Sequence, residues 1–247
     1  MASPHTSIAD CGDAGLLVTV HGDDRDDAWG VARGIATALF AARPPGLVDV
    51  VASYASVFVA FDPLRTDRAG LRGLLTQAAT TPLRPPRGRE FIVPVVYGGA
   101  CGEDLETVAD DLGLGTEDVV QLHTGHPWTV RLLGPPLGMP MMDGPPVPRS
   151  VPRRADPRLR VPAGSVAVSG HQSVVYPADM PGGWRLIGRT PAVLVDLTRD
   201  PVTDYEPGDR LRFVPVPPED WDRWRRPLLD VQEDLAEHRG RRRAGRG

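Results

Sequence analysis

"RVPAGSVAVSGHQSVVYPADMPGGWRLIGRT" spans residues 160–190 and sets strand formers among a high density of glycine and proline. Val166–Val168 and Val174–Tyr176 read as two buried strands, with His171 and Gln172 in the turn between them. Pro181-Gly182-Gly183 marks a second turn. The same texture continues outward. "WTVRLLG" (128–134) precedes the stretch, "WRLIGRT" (184–190) closes it, and "AVLVDL" (192–197) and "RLRFVPV" (210–216) follow. The turn Pro207-Gly208-Asp209 launches the last of these, with Leu211 and Phe213 on one face and Arg210 and Arg212 on the other. Short strands punctuated in this way predict a closed or sandwiched β structure over residues 90–217.

The N-terminal part alternates helix and strand patterns. "GLLVTV" (15–20) reads as a strand, and the segment 23–42 carries Ala28, Val31, Ala32, Ile35 and Leu39 at helical spacing. Aspartates crowd the start of this helix, where its dipole favours them, and Pro44-Pro45-Gly46 ends it. "LVDVVAS" (47–53) and "SVFVAFD" (56–62) suit a hairpin. Thr66 is placed to cap a second helix bearing Leu71, Leu74, Leu75 and Ala78. With "FIVPVVY" (91–97) the order is βαββαβ, which predicts a ferredoxin-like domain over 1–85. That last strand could equally open the next domain, because "TPLRPPRGRE" before it reads as a linker.

Two short helices are expected between 103 and 125. Leu105, Val108, Ala109 and Leu112 stripe the first, Gly113 stops it, and Thr116 caps the second, whose last turn holds His123. Residues 218–247 read as a C-terminal helix, with Leu228, Val231 and Leu235 on one stripe beyond Pro227, running into an arginine-rich disordered tail. That stripe could face a partner, pair with another copy in a homo-oligomer, or pack on its own domain.

A net charge of −4 gives no global electrostatic case for nucleic acid or membrane binding. No apolar run approaches the roughly 20 residues of a bilayer span, and no leader pattern opens the chain, so a cytoplasmic protein is expected. Cys11 and Cys101 make neither a disulfide framework nor a zinc site by spacing, and no metal site is expected. All 28 basic residues are arginine. Without lysine there is no Walker A motif, no Schiff base and no covalent biotin attachment, so no cofactor is bound by a motif in this chain.

The remaining candidates are polar residues set in turns. His123 can complement a helix dipole or serve a ligand. Arg153, Arg154 and Arg158 lie in a proline-stiffened loop and can grip a carboxylate or phosphate, or simply be solvated. Gln172, beside His171, can donate to and accept from a lactam at once. Tyr176 and Trp184 read as packing at the rim.

Residues 152–190, "IVPVVYGGACGEDLETVADDLGLGTEDVVQLHTG" (92–125) and "EPGDRLRFVPV" (206–216) together resemble the family of B-type 5-oxoprolinase subunits. That family includes Kip-type histidine-kinase inhibitors, allophanate hydrolase subunit 1 and carboxyltransferase C/D domains. The resemblance covers roughly residues 8 to 217 and implies an α+β chain, a ferredoxin-like domain followed by a cyclophilin-like β-barrel. It also implies a C-type partner subunit, an A-type subunit in the full enzyme, and ATP used by the complex to open 5-oxoproline to glutamate. On this resemblance His123, Arg153, Arg158 and Gln172 are the catalytic candidates. Pro135, Met139, Met141, Arg154, His171, Val174, Tyr176 and Trp184 would line the pocket. The loop 134–144 departs from the family's aromatic pattern: Pro135, Met139 and Met141 stand where two Phe and a Tyr are expected. Val174 replaces a glycine. A remodelled, aliphatic pocket leaves two alternatives to the hydrolase component: a stand-alone tailoring or cyclising enzyme with an apolar substrate, and a non-catalytic inhibitor of a sensor histidine kinase.

Overall fold

The computed structural model describes residues 4–80, 88–135, 137–145 and 148–230. The chain divides into two compact units at Pro86/Arg87. The first contains β1 (His5–Asp10), β2 (Gly15–His21), α1 (Arg25–Ala42), β3 (Leu47–Ala52), β4 (Ser56–Phe61) and α2 (Arg68–Thr80). Its sheet runs β1-β2-β4-β3, antiparallel throughout. This is a ferredoxin-like sheet in permuted order. The edge strand beside β2 comes from residues 5–10, which carry little hydrophobic alternation, and not from "FIVPVVY", which belongs to the second unit.

Alternation decides how this sheet packs. Leu16 and Val18 of β2 and Val57 and Val59 of β4 are buried with Ala28, Ala32, Ile35 and Leu39 of α1 and Leu71 and Leu75 of α2. The Asp24 carboxylate caps α1, accepting from the Asp26 and Asp27 amides at 2.7 and 3.0 Å. Asp67, not Thr66, caps α2: its carboxylate accepts from Ala69 and Gly70, while Thr66 donates to the Pro45 carbonyl.

The second unit contains β5 (Glu90–Tyr97), α3 (Leu105–Leu112), α4 (Thr116–Thr124), β6 (Trp128–Gly134), β7 (Met139–Asp143), β8 (Arg158–Val161) and β9 (Ser165–Ser169). β10 (Gln172–Val175), β11 (Met180–Gly182), β12 (Arg185–Arg189), β13 (Arg210–Pro215) and β14 (Leu229–Asp230) complete it. The order β12-β9-β10-β7-β6-β13-β5 closes on itself through β12–β5, making a seven-stranded barrel. β8 and β11 form a separate ribbon. Leu105, Val108 and Leu112 of α3 and Val119 of α4 share a core with Val93, Val130, Val166, Ile187 and Phe213 of the barrel strands.

Three expectations change here. Residues 192–197 are not a strand: they are held by isolated bridges from Val193 to Pro227 and from Val195 to Thr203. The free edge of β5 is already shared between β12 and β14, so no ladder is left for them. Within 134–144, residues 139–143 are a strand, β7, paired on both sides. The helix expected beyond Pro227 does not start there: Leu228 enters the barrel core, and Leu229–Asp230 pair antiparallel with β5. Two 3₁₀ turns, Pro218–Asp220 and Asp222–Trp224, precede them. Val231, Leu235 and the arginine-rich tail lie outside the described residues, as does most of the expected linker.

Candidate functional site

The pleat of β10 sorts the candidates. Val175 packs in the barrel core, whereas Val174 belongs to a second cluster with Val161, Ala167, Tyr176, Trp184 and Leu186. Met139 and Met141 of β7 and Met180 of β11 pack against that cluster, which covers the outer face of the barrel. Val174 is fully buried, opposite Met141 and Ala167 in register. Pro135 stands apart, exposed in the turn of the β6–β7 hairpin. Tyr176 and Gly182 approach so closely that a β-carbon on Gly182 would lie 2.4 Å from the phenol oxygen, so glycine is required there.

Beside this cluster the arginines gather around a residue that no sequence pattern singles out. Asp104 sits at the start of α3 but makes no capping bond; its carboxylate turns instead to the arginine loop. Arg158 donates to it through both terminal nitrogens at 2.8 and 3.1 Å, a bidentate fork, and Arg154 adds a third bond at 3.1 Å. The Leu186 amide donates a fourth at 2.8 Å, and Arg185 stands 3.9 Å away. Burial alone would raise the Asp104 pKa, but the Arg158 bonds, the Leu186 amide and the guanidinium charges outweigh it and hold the carboxyl below its ordinary value. Arg154 and Arg158 are therefore committed to Asp104. Arg153 is not: it lies exposed, its guanidinium 5.6 Å from the Trp184 ring centroid.

Gln172 is oriented by charge. Its amide nitrogen donates to Asp143 at 3.2 Å, and Asp143 also pairs with Arg131 at 3.3 Å. A carboxylate only accepts, so this bond fixes which end of the Gln172 amide is which.

His123 is elsewhere. It is 3% exposed, inside the barrel, against Trp128 and Phe213. The Ser173 hydroxyl lies 3.2 Å from the Ala167 carbonyl, which can only accept, so Ser173 donates there and accepts from His123 Nε2–H at 3.0 Å. Nδ1 is then bare and accepts from the Tyr97 hydroxyl at 2.7 Å. Burial pushes the His123 pKa down to about 3 and raises that of Tyr97 far above its ordinary value, so both are neutral. With both ring nitrogens engaged, His123 is a strut between β5, α4 and β10. His171, exposed in the β9–β10 turn, joins His123 and Gln172 only around a cavity of about 20 Å³, room for a single water.

The structure thus brings together Arg153, Arg154, Arg158, Gln172, Met139, Met141, Val174, Tyr176 and Trp184 on or beside one outer face, and leaves His123, His171 and Pro135 off it. Asp104, Asp143 and Arg131 were missed. An aspartate opening a helix reads as a cap, and a polar residue in a β-strand reads as surface; nothing in their local sequence announces a partner on another element. Among the described residues no group of His, Cys, Asp and Glu could hold a metal ion, and no helix is long and apolar enough to cross a membrane.

A permuted ferredoxin-like sheet and a seven-stranded barrel packed with a helical hairpin define an α+β protein of the carboxyltransferase-like class. Residues 6–203 match the family model "carboxyltransferase domain, subdomain C and D". The chain belongs to that family. It is 48% identical over 130 residues to the B-type 5-oxoprolinase subunit of Escherichia coli O157:H7, covering 53% of this chain and 60% of that protein. It is 29% identical to the B-type 5-oxoprolinase subunit of Bacillus subtilis over 87% of this chain and 94% of that one. The crystal structure of TTHA0988 superposes with a TM-score of 0.70 at 38% identity, over 82% of this chain and 40% of that longer chain.

Proposed function

We propose that the chain is the B-type component of a 5-oxoprolinase, working with a C-type subunit, and with an A-type subunit that supplies ATP chemistry. The observation that carries this reading is the similarity to proteins named as B-type subunits of 5-oxoprolinase, in one case along nearly the whole chain. No comparable observation favours a stand-alone tailoring enzyme or a kinase inhibitor. Hydrolysis breaks the ring C–N bond of the lactam: the water oxygen ends on the carbonyl carbon and the nitrogen leaves as an amine. The outer face offers groups suited to hold such a substrate. Gln172, held by Asp143, presents a fixed amide to the lactam. Arg153, which has no carboxylate partner among the described residues and lies over Trp184, meets the substrate carboxylate. Arg154 and Arg158 act indirectly, anchoring the loop through Asp104. Met139 and Met141 supply a flexible apolar wall where the family has rings.

The test is ATP-dependent glutamate release from 5-oxoproline by the chain co-expressed with cognate A- and C-type subunits in the cytoplasm of a host. The chain alone is expected to be inactive, the assembly active, and Arg153→Ala in the assembly to raise KM with a smaller effect on kcat. An inactive but correctly formed assembly would overturn the substrate assignment.

A further inference from the structure

The described part of the C-terminal piece, residues 218–230, contributes to a second concavity. A cleft of about 250 Å³ opens where β12 ends at Arg189. Its floor is the contact between Gly164 and Thr190: the Thr190 amide donates to the Gly164 carbonyl at 2.8 Å. Gly164 adopts φ +80, and a β-carbon there would lie 2.4 Å from the Thr190 oxygen, so only glycine closes this floor. One wall is the segment 192–195, pinned by the Val193 amide to the Arg226 carbonyl at 3.0 Å. Trp221 and Arg225 also line the cleft.

Among the described residues, two cations line this cleft and no carboxylate does. Arg189 spends its Nε on the Ala163 carbonyl at 2.8 Å and lays its guanidinium 5.4 Å from the Trp221 ring centroid; its charge is felt by Asp179, but among the described residues its terminal nitrogens form no ion pair. Arg225 is exposed and has no acidic partner among the described residues. The nearby Asp179 is already taken by Arg160 and the Ala163 amide. Other arginines of this unit are paired: Arg154 and Arg158 share Asp104, and Arg210 and Arg212 share Glu90. Two guanidiniums facing one cleft without an acid are complementary to a planar oxyanion, which each can grip through two N–H groups.

We propose that this cleft binds a compact organic oxyanion, carboxylate or phosphate, between Arg189 and Arg225, with the apolar part of the ligand against Val193, Leu194 and Trp221. Its volume lies just under the usual range for small-molecule pockets, which fits a small metabolite and not a nucleoside triphosphate. Apart from Tyr176, the cleft is built from residues outside the outer-face cluster, so it is a second site and does not depend on the 5-oxoprolinase reading.

Calorimetric titration of the full chain with L-glutamate, and separately with inorganic phosphate, tests this. Saturable binding of at least one is expected, and which titrant binds tells carboxylate from phosphate. Arg225→Gln, an exposed position that should leave the fold intact, is expected to weaken binding about ten- to a hundred-fold. Gln172→Ala, on the outer face, should leave it unchanged. No saturation by either titrant at millimolar concentration would overturn the proposal, as would binding that survives Arg225→Gln but is lost in Gln172→Ala.

Discussion

Replacing Asp104 by alanine should unfold the second unit more readily than any change to the arginines it holds. The carboxylate accepts four N–H donors: two from Arg158, one from Arg154 and one from the Leu186 amide. Removing it leaves that amide without this acceptor and three guanidiniums facing one another. Breaking a fully buried pair by deleting one partner costs about 3–5 kcal/mol. Here the Arg158 and Arg154 side chains retain 16% and 32% of their exposure, so water recovers part of the loss. The expected cost is about 2–4 kcal/mol, or a fall in Tm of about 5–15 °C for a unit of this size. Asp104→Asn, which keeps one acceptor but not the charge, should fall between wild type and alanine. Added salt should restore part of the alanine variant's stability by screening the arginines. The folded-state pKa of Asp104 is depressed, so its contribution is present above its unfolded value and is lost as pH falls through the folded one. Urea denaturation followed by circular dichroism reads all of this. A loss below about 1 kcal/mol, the range of an exposed pair, would refute the account.

Protonating His123 is opposed by burial, which sets its folded pKa at about 3 against 6.5 unfolded. Between these values the unfolded chain binds the extra proton, so stability should drop by about 1.4 kcal/mol per pH unit on acidification. His123→Gln should reduce the slope of stability between pH 6 and 4.5 by one proton; an unchanged slope would rule the histidine out as its source. Tyr97→Phe strips the donor from His123 Nδ1 and should cost about 1–2 kcal/mol in urea denaturation. Val174→Gly restores the family's glycine but empties a fully buried position in a strand, at a cost of about 3 kcal/mol. A neutral result there would mean that the outer cluster closes over the gap.

Period and punctuation made most of the fold legible, because α1, β2, β4, β9, β10 and β12 each carry local hydrophobic patterns that tertiary packing then uses unchanged. What escaped depends on pairing. β1 is a strand only because β2 offers an edge, and the segment 192–197, a better strand by composition, is excluded because β5 has no edge left. The site divides in the same way. Gln172, Arg153 and Trp184 were visible as residue types in special turns, but the groups that fix them, Asp143 and Asp104, are ordinary acids until the fold closes. His123 shows the converse: a histidine after a helix-forming stripe suggests chemistry, yet Tyr97 and Ser173 consume both of its nitrogens. Those bonds tie β5 and α4 to β10, one residue from Gln172 on one side and Val174 on the other. The buried polar row therefore holds in place the strand that carries Gln172 and Val174 of the proposed site, and this link from core to site is one that no single stretch of sequence displays.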